Sequence, residues 1–133
     1  MREFQVQTER RTQFVEITEQ VLEALGDPGE AAAVLLYVPH VTAGVIVQEP
    51  RDDDTVAADL QMAFDRVVAD DWPYTHFEEH EHNPWSHVRA ALVNTSVVIP
   101  LRDGKPALGT WQGVFLCEFD GPRTRKVYVS TLR

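Results

Sequence analysis

From Thr95 onward the chain leaves few choices of fold. Runs rich in β-branched and aromatic residues, TSVVIPL, WQGVFLCEF and KVYVSTL, are separated by the turn signals RDGK and DGPR. Such runs read as consecutive strands, because Gly, Pro and Asp supply the backbone angles that tight reversals require. The N-terminal part carries the same signal. In EFQVQT, Phe4 and Val6 fall on one face at period two, and AAAVLLYV, bounded by Pro28-Gly29 and Pro39, is a near-continuous apolar run of strand length. TAGVIVQE, after His40, reads as a further strand.

Helical spacing occupies the segments between. QFVEITEQVLEALG places Ile17, Val21 and Leu25 four residues apart with Gly26 as a stop. RDDDTVAADLQMAFDRVVAD carries Val56, Leu60, Ala63, Phe64 and Val67 at helical spacing, and Asp52 to Asp54 supply an N-cap and charge suited to a helix N-terminus. A third helix is expected to start at Asn83 as N-cap, with Pro84 at its first position, and to present Trp85, Val88 and Leu92 as its apolar stripe. The expectation is an α+β, β-rich fold with about three helices, in one domain over residues 1–133, a length that suits a single core.

Charge narrows the partners. Twelve Lys and Arg against twenty-one Asp and Glu give a formal charge of −9, which repels nucleic-acid backbones. Arg123, Arg125 and Lys126 nonetheless form a local basic patch in GPRTRKVYV, so a small phosphorylated ligand stays open while nucleic acid does not. Cys117 is the only cysteine, which rules out an intrachain disulfide and lends no support to an oxidising compartment. MREFQVQTERR lacks an apolar leader core, and the longest apolar run, from Ala31 to Val38, is far too short to span a bilayer. The expected setting is cytoplasmic, with no membrane partner.

Four of the five histidines lie within THFEEHEHNPWSHV, at His76, His80, His82 and His87. His80 and His82 alternate with Glu79 and Glu81 and read as a solvated loop. His40, His76 and His87 each flank an expected element, which makes them the better candidates for holding a divalent ion from several segments. Other polar groups leave alternatives open. Glu49 ends a strand, Asp59 sits at the edge of its helix stripe, and Gln112 and Glu118 share a strand face that suits either a pocket or water. Cys117, on the oily face of that strand, reads as a buried small hydrophobe.

The ordered set HVTAGVIVQE, Asp59-Leu60, YTH, NPWSH, IPLRDGKPALGTWQG and CEFDGPR resembles the YjbQ-like family, also called the secondary thiamine-phosphate synthase family, over nearly the whole chain. The resemblance implies a mixed or antiparallel β-sandwich assembled as a homotrimer. It also implies joining of a hydroxymethylpyrimidine diphosphate to a thiazole phosphate with release of pyrophosphate. The motif residues are His40, Thr42, Glu49, Asp59, His76, Asn83, His87, Trp111, Gln112 and Glu118. The chain departs from the family pattern at Glu79-His80-Glu81-His82, and at Val41, where Thr is usual.

The working expectation gathers these residues in one pocket. His40, His76 and His87 would hold a divalent metal, zinc or magnesium, or an anionic substrate. Glu49, Asp59 and Glu118 would be the catalytic carboxylates, and Thr42, Asn83, Trp111, Gln112, Arg123 and Arg125 would bind substrate. A metal-dependent hydrolase of small phosphorylated substrates and a non-catalytic trimeric ligand-binding protein are the alternatives.

Overall fold

A computed structural model describes residues 1–50, 53–76 and 82–133. Along the chain run β1 (Arg2–Gln7), β2 (Gln13–Glu16), α1 (Thr18–Leu25), β3 (Ala33–Tyr37), β4 (Ala43–Gln48), α2 (Thr55–Val67), α3 (Pro84–Leu92), β5 (Ser96–Arg102), β6 (Lys105–Pro106), β7 (Gly113–Glu118) and β8 (Thr124–Leu132). The strands form a five-stranded sheet in the order β1-β8-β3-β5-β6 and a three-stranded sheet in the order β2-β7-β4. Every strand pairing is antiparallel, so the chain is a single α+β domain built on two antiparallel sheets.

One core cluster unites inward residues of both sheets: Val34 and Leu36 of β3 and Val127 and Val129 of β8 join Val45 of β4 and Val114 and Leu116 of β7. Ile17, Val21 and Leu25 belong to the same cluster, so the predicted helical spacing is that of α1's buried face. The opposite face of the three-stranded sheet carries Phe14, Phe115 and Cys117, packed with Phe119, Ala90 of α3 and Leu60 and Phe64 of α2. Because β7 lies between these two clusters, all six of its residues are buried. The supposed polar strand face bearing Glu118 is therefore interior.

The structure corrects several local expectations. The segment expected as one helix from Gln13 begins as strand β2, because Phe14 and Val15 pair with Cys117 and Leu116 and the helix starts only at Thr18. In α2 the packed side is Ala57, Leu60 and Phe64, while Val67 is exposed. The N-cap of α2 is Asp54, whose side chain makes no cap bond; one residue earlier the Asp53 carboxylate accepts from the Thr55 N–H and hydroxyl, at 3.2 and 2.9 Å, and Asp52 lies outside the described residues. In α3 the buried residues include Trp85, Ser86, Arg89 and Ala90, and the expected stripe residues Val88 and Leu92 are exposed. Helical periodicity missed this face because an arginine occupies its centre. Arg89 is fully buried, its Nε and Nη2 donate to the Val68 carbonyl at 3.1 and 2.6 Å, and the half-exposed carboxylates of Asp65 and Asp70 each lie 3.3 Å away, so its charge is met from the surface side.

Two backbone features fix how neighbouring elements meet. The RDGK turn between β5 and β6 has positive φ at both Asp103 (52°) and Gly104 (76°), the angles a two-residue hairpin demands. At Gly44, a Cβ would sit 2.5 Å from Val93 Cγ2 and 2.7 Å from the Asn94 carbonyl oxygen. Only glycine lets β4 pass this close to the segment that follows α3, where the Val45 N–H donates to Asn94 O at 2.8 Å.

Candidate functional site

A cleft of about 640 Å³ opens where the end of β3 and residues 38–42, the start of α3, and the turn from β7 into β8 come together. That volume suits a small organic ligand. His40, Thr42, Asn83, His87, Arg123 and Arg125, which the sequence singled out, all line it, and Asp120 joins them.

His40 is set by the backbone of β8. Its Nε2 accepts the Lys126 N–H at 2.8 Å. A backbone N–H can only donate, so this nitrogen must hold a lone pair, and the neutral ring carries its proton on Nδ1. Burial, then the Arg125 charge, with smaller help from Lys126 and Arg123, lowers the His40 pKa against the opposing pull of Glu118. The ring is thus kept neutral, with an Nδ1–H to donate.

Behind this wall lies a desolvated ion pair. Glu118 is fully buried, and Arg125 is 4% exposed. Arg125 Nε donates to both Glu118 oxygens at 2.8 and 3.1 Å, and its Nη2 also donates to Glu118 Oε2. Thr8 Oγ1 at 2.7 Å and the Asp120 N–H at 3.1 Å complete the carboxylate's shell. The other reach of Arg125 Nη2 is to Thr42 Oγ1, at 2.8 Å. Five donor contacts enclose Glu118 away from the cleft, so the expected catalytic carboxylate is instead the anchor that neutralises and aims Arg125.

Across the cleft stands α3. Asn83 was expected to cap that helix with its side chain; its Nδ2 instead donates to Asp120 Oδ2 at 2.8 Å. Arg123 Nη2 donates to the same oxygen at 2.8 Å and Arg123 Nε to the Asp120 carbonyl at 2.8 Å. His87 is half-buried and lines the cleft, with the exposed His76 ring packed edge-on against it at 4.8 Å between centroids.

Of the three histidines expected to hold a metal, His40 and His87 line the same cleft and His76 reaches it only through its contact with His87. His40 Nε2 is engaged by a backbone donor, and its Nδ1 bears the remaining proton, whereas a metal ligand needs a free lone pair. Among the described residues no three His, Cys, Asp or Glu side chains are grouped to hold a metal ion. His82 lies edge-on to Trp85 at 5.6 Å, and His80 lies outside the described residues.

Four expected site residues lie elsewhere. β4 and β7 pair with Ala43 opposite Glu118 at one end and Gln48 opposite Gly113 at the other. At about 3.3 Å per residue those ends are roughly 17 Å apart. The cleft is at the Glu118 end. Glu49, Trp111 and Gln112 belong to the far end, where Glu49 lines a small hollow with Glu16 and Asp54, Trp111 is 71% exposed, and Gln112 Oε1 accepts the Gly109 N–H at 2.8 Å. Asp59 is exposed on α2. Within one chain none of the four reaches the cleft. Sequence reasoning also missed Asp120; the available signal was its place in EFDGPR, a turn held between two strands, where side chains are free to serve a ligand. Cys117 is wholly buried, and burial pushes its thiol far above the usual range, which removes it as a nucleophile.

Fold and cleft together define a class: a small antiparallel two-sheet domain with an Arg/His cleft at one end of its short sheet. The chain belongs to the YjbQ/UPF0047 family, whose model, "UPF0047 protein YjbQ-like", matches residues 2–133. It is 37% identical over 130 residues to a UPF0047 protein of Methanocaldococcus jannaschii, covering 97% of this chain and 91% of that one. YugU of Bacillus subtilis is 36% identical over 135 residues, covering 99% and 98%. Among solved structures, a YjbQ/UPF0047 protein from Clostridium acetobutylicum superposes with a TM-score of 0.90 at 35% identity, covering 99% of this chain and all of that one. No described helix is long and apolar enough to cross a membrane.

Proposed function

We propose that the cleft binds a small phosphorylated substrate and that the protein is a transferase of the thiamine-phosphate synthase type, joining hydroxymethylpyrimidine diphosphate to thiazole phosphate with release of pyrophosphate. The observation that carries this reading is the gathering of Arg123, Arg125 and the His40 Nδ1–H donor around one cleft in a chain of net charge −9. Donors concentrated there serve an anion that the rest of the surface repels.

In such a reaction the C–O bond to the diphosphate breaks and negative charge builds on the departing oxygen. Arg125, held rigid by Glu118 and Thr42, and Arg123, held by Asp120, stabilise that charge without reorganising. The bond lost to pyrophosphate is replaced by one from the thiazole ring nitrogen to the same carbon; His40 donates a neutral hydrogen bond to the departing group, and His87 lines the opposite wall. No step is assigned to a metal. The homotrimer belongs to the same proposal; it would give Glu49, Trp111 and Gln112 a neighbouring chain to meet, and light scattering of the purified protein tests it.

The experiment is thiamine phosphate formation from the two substrates, read by thiochrome fluorescence, with and without chelator. Arg123→Ala is expected to lower kcat/KM by about 100-fold, as loss of one charge-stabilising donor does. Absence of product together with absence of pyrophosphate binding by calorimetry overturns the reading. Pyrophosphate binding without turnover points to the non-catalytic ligand-binding alternative, and turnover abolished by chelator restores a metal.

A further inference from the structure

Asp120 occupies the cleft with Arg123, Arg125, His40 and His87, and all of its polar atoms but one are held. Its N–H donates to Glu118 Oε2 at 3.1 Å, and its carbonyl accepts from Arg123 Nε at 2.8 Å. The carboxylate, 17% exposed, receives two donors, Asn83 Nδ2 and Arg123 Nη2, each at 2.8 Å. Both land on Oδ2. Two bonds use the two lone pairs of that oxygen, which leaves Oδ1 to accept from whatever enters the cleft. Asn83, 5% exposed, reinforces the arrangement, because a carboxylate can only accept and so fixes the amide with its nitrogen toward Asp120.

An acceptor held this rigidly loses little freedom on binding a ligand donor. It also penalises a ligand that sets an oxygen against it, since two acceptors then face each other in a partly desolvated space. Beside it, one bond away along the Asp120–Arg123 pair, lies the guanidinium on which an anion would rest.

We propose that Asp120 Oδ1 is the specificity-determining acceptor of this cleft, selecting phosphorylated molecules that also present an N–H or ammonium group close to the phosphate. The proposal rests on the phosphate-binding reading above. Summing hydrogen-bond lengths across the Arg123–Asp120 pair places the ligand nitrogen on the order of 5–7 Å from the phosphate oxygen. A molecule as short as 2-aminoethyl phosphate spans that gap, and ethyl phosphate is its counterpart without the donor.

The test is calorimetric titration of these two phosphates into the wild type and Asp120→Asn. Asparagine is nearly isosteric, and its orientation is dictated, since the two donors at Oδ2 require the amide oxygen there and turn the NH2 into the cleft. The substitution therefore replaces an acceptor by a donor with the surrounding bonds retained. Wild type is expected to bind 2-aminoethyl phosphate about tenfold more tightly than ethyl phosphate, one charge-assisted bond's worth. In Asp120→Asn that preference should fall to about twofold or less, with ethyl phosphate bound as well as or better than before, because a negative charge has left an anion site. Equal affinities in the wild type, or an unchanged preference in Asp120→Asn, overturn the role of Asp120 and leave the phosphate reading standing. Failure of wild type to bind either phosphate removes both. If Asp120→Asn does not fold, Asp120→Ser, which also removes the carboxylate, is read in its place, and an unchanged preference there overturns the role equally.

Discussion

Replacing Glu118 by glutamine probes the ion pair on which the cleft is built. The carboxylate is fully buried, and both of its oxygens accept from Arg125, itself 4% exposed. A glutamine side chain offers one oxygen and one NH2. In either orientation the NH2 meets at least one Arg125 N–H, because Nε reaches both positions. The arginine, meanwhile, keeps its charge and loses its counterion. Breaking a buried pair from one side costs about 3–5 kcal/mol. For a domain of this size, with total stability of about 5–15 kcal/mol, that corresponds to a fall in Tm of roughly 10–20 °C. Thermal unfolding followed by circular dichroism gives the shift, and urea titration gives the free energy. The double variant Glu118→Met/Arg125→Met, which removes both charges, should recover a large part of the loss, since an apolar pair of similar volume is often as stable as the ions. A Glu118→Gln protein melting within about 3 °C of wild type would refute the reasoning, because it would mean that water or another anion replaces the carboxylate.

Two further outcomes follow from the geometry. The folded-state pKa of His40 lies below its ordinary 6.5, through burial and the charges of Arg125, Lys126 and Arg123 with Glu118 opposing. The unfolded chain thus binds the extra proton first, and wild-type stability relative to His40→Asn should decline as pH falls below 6.5, levelling off below the folded pKa; parallel pH–stability curves would contradict it. Gly44→Ala drives a methyl group into Val93 and the Asn94 carbonyl, at 2.5 and 2.7 Å, and should destabilise the protein by about 1–3 kcal/mol in urea unfolding. An unchanged midpoint would show that the segment after α3 is not seated on β4.

Much of the fold was legible because its signals are local. The Phe4/Val6 alternation, the apolar run of β3, the Ile17/Val21/Leu25 spacing of α1 and the Asp103-Gly104 turn each encode an element in neighbouring residues. Where a partner from far along the chain decides the outcome, that local reading failed. β2 became a strand because β7 lies beside it, and α3 turned Arg89 inward because the Val68 carbonyl and Asp70 wait there. Neither partner is visible in the segment itself.

The candidate site divides along the same line. The sequence determined which residue types the chain carries: it marked His40 and His87 by their places beside expected elements and Arg123 and Arg125 by their clustered charge, while Thr42 and Asn83 were marked as site residues by the family resemblance. Only the tertiary structure decided that these six share a cleft, that Glu118 stands behind it as a counterion, and that Asp120 holds the position facing a ligand. It also decided that Glu49, Trp111 and Gln112 stay at the other end of the β4–β7 pair. A strand carries its two ends roughly 17 Å apart at about 3.3 Å per residue. Residues close in sequence are thereby held apart, while the turns at one end of the sheet bring distant ones together.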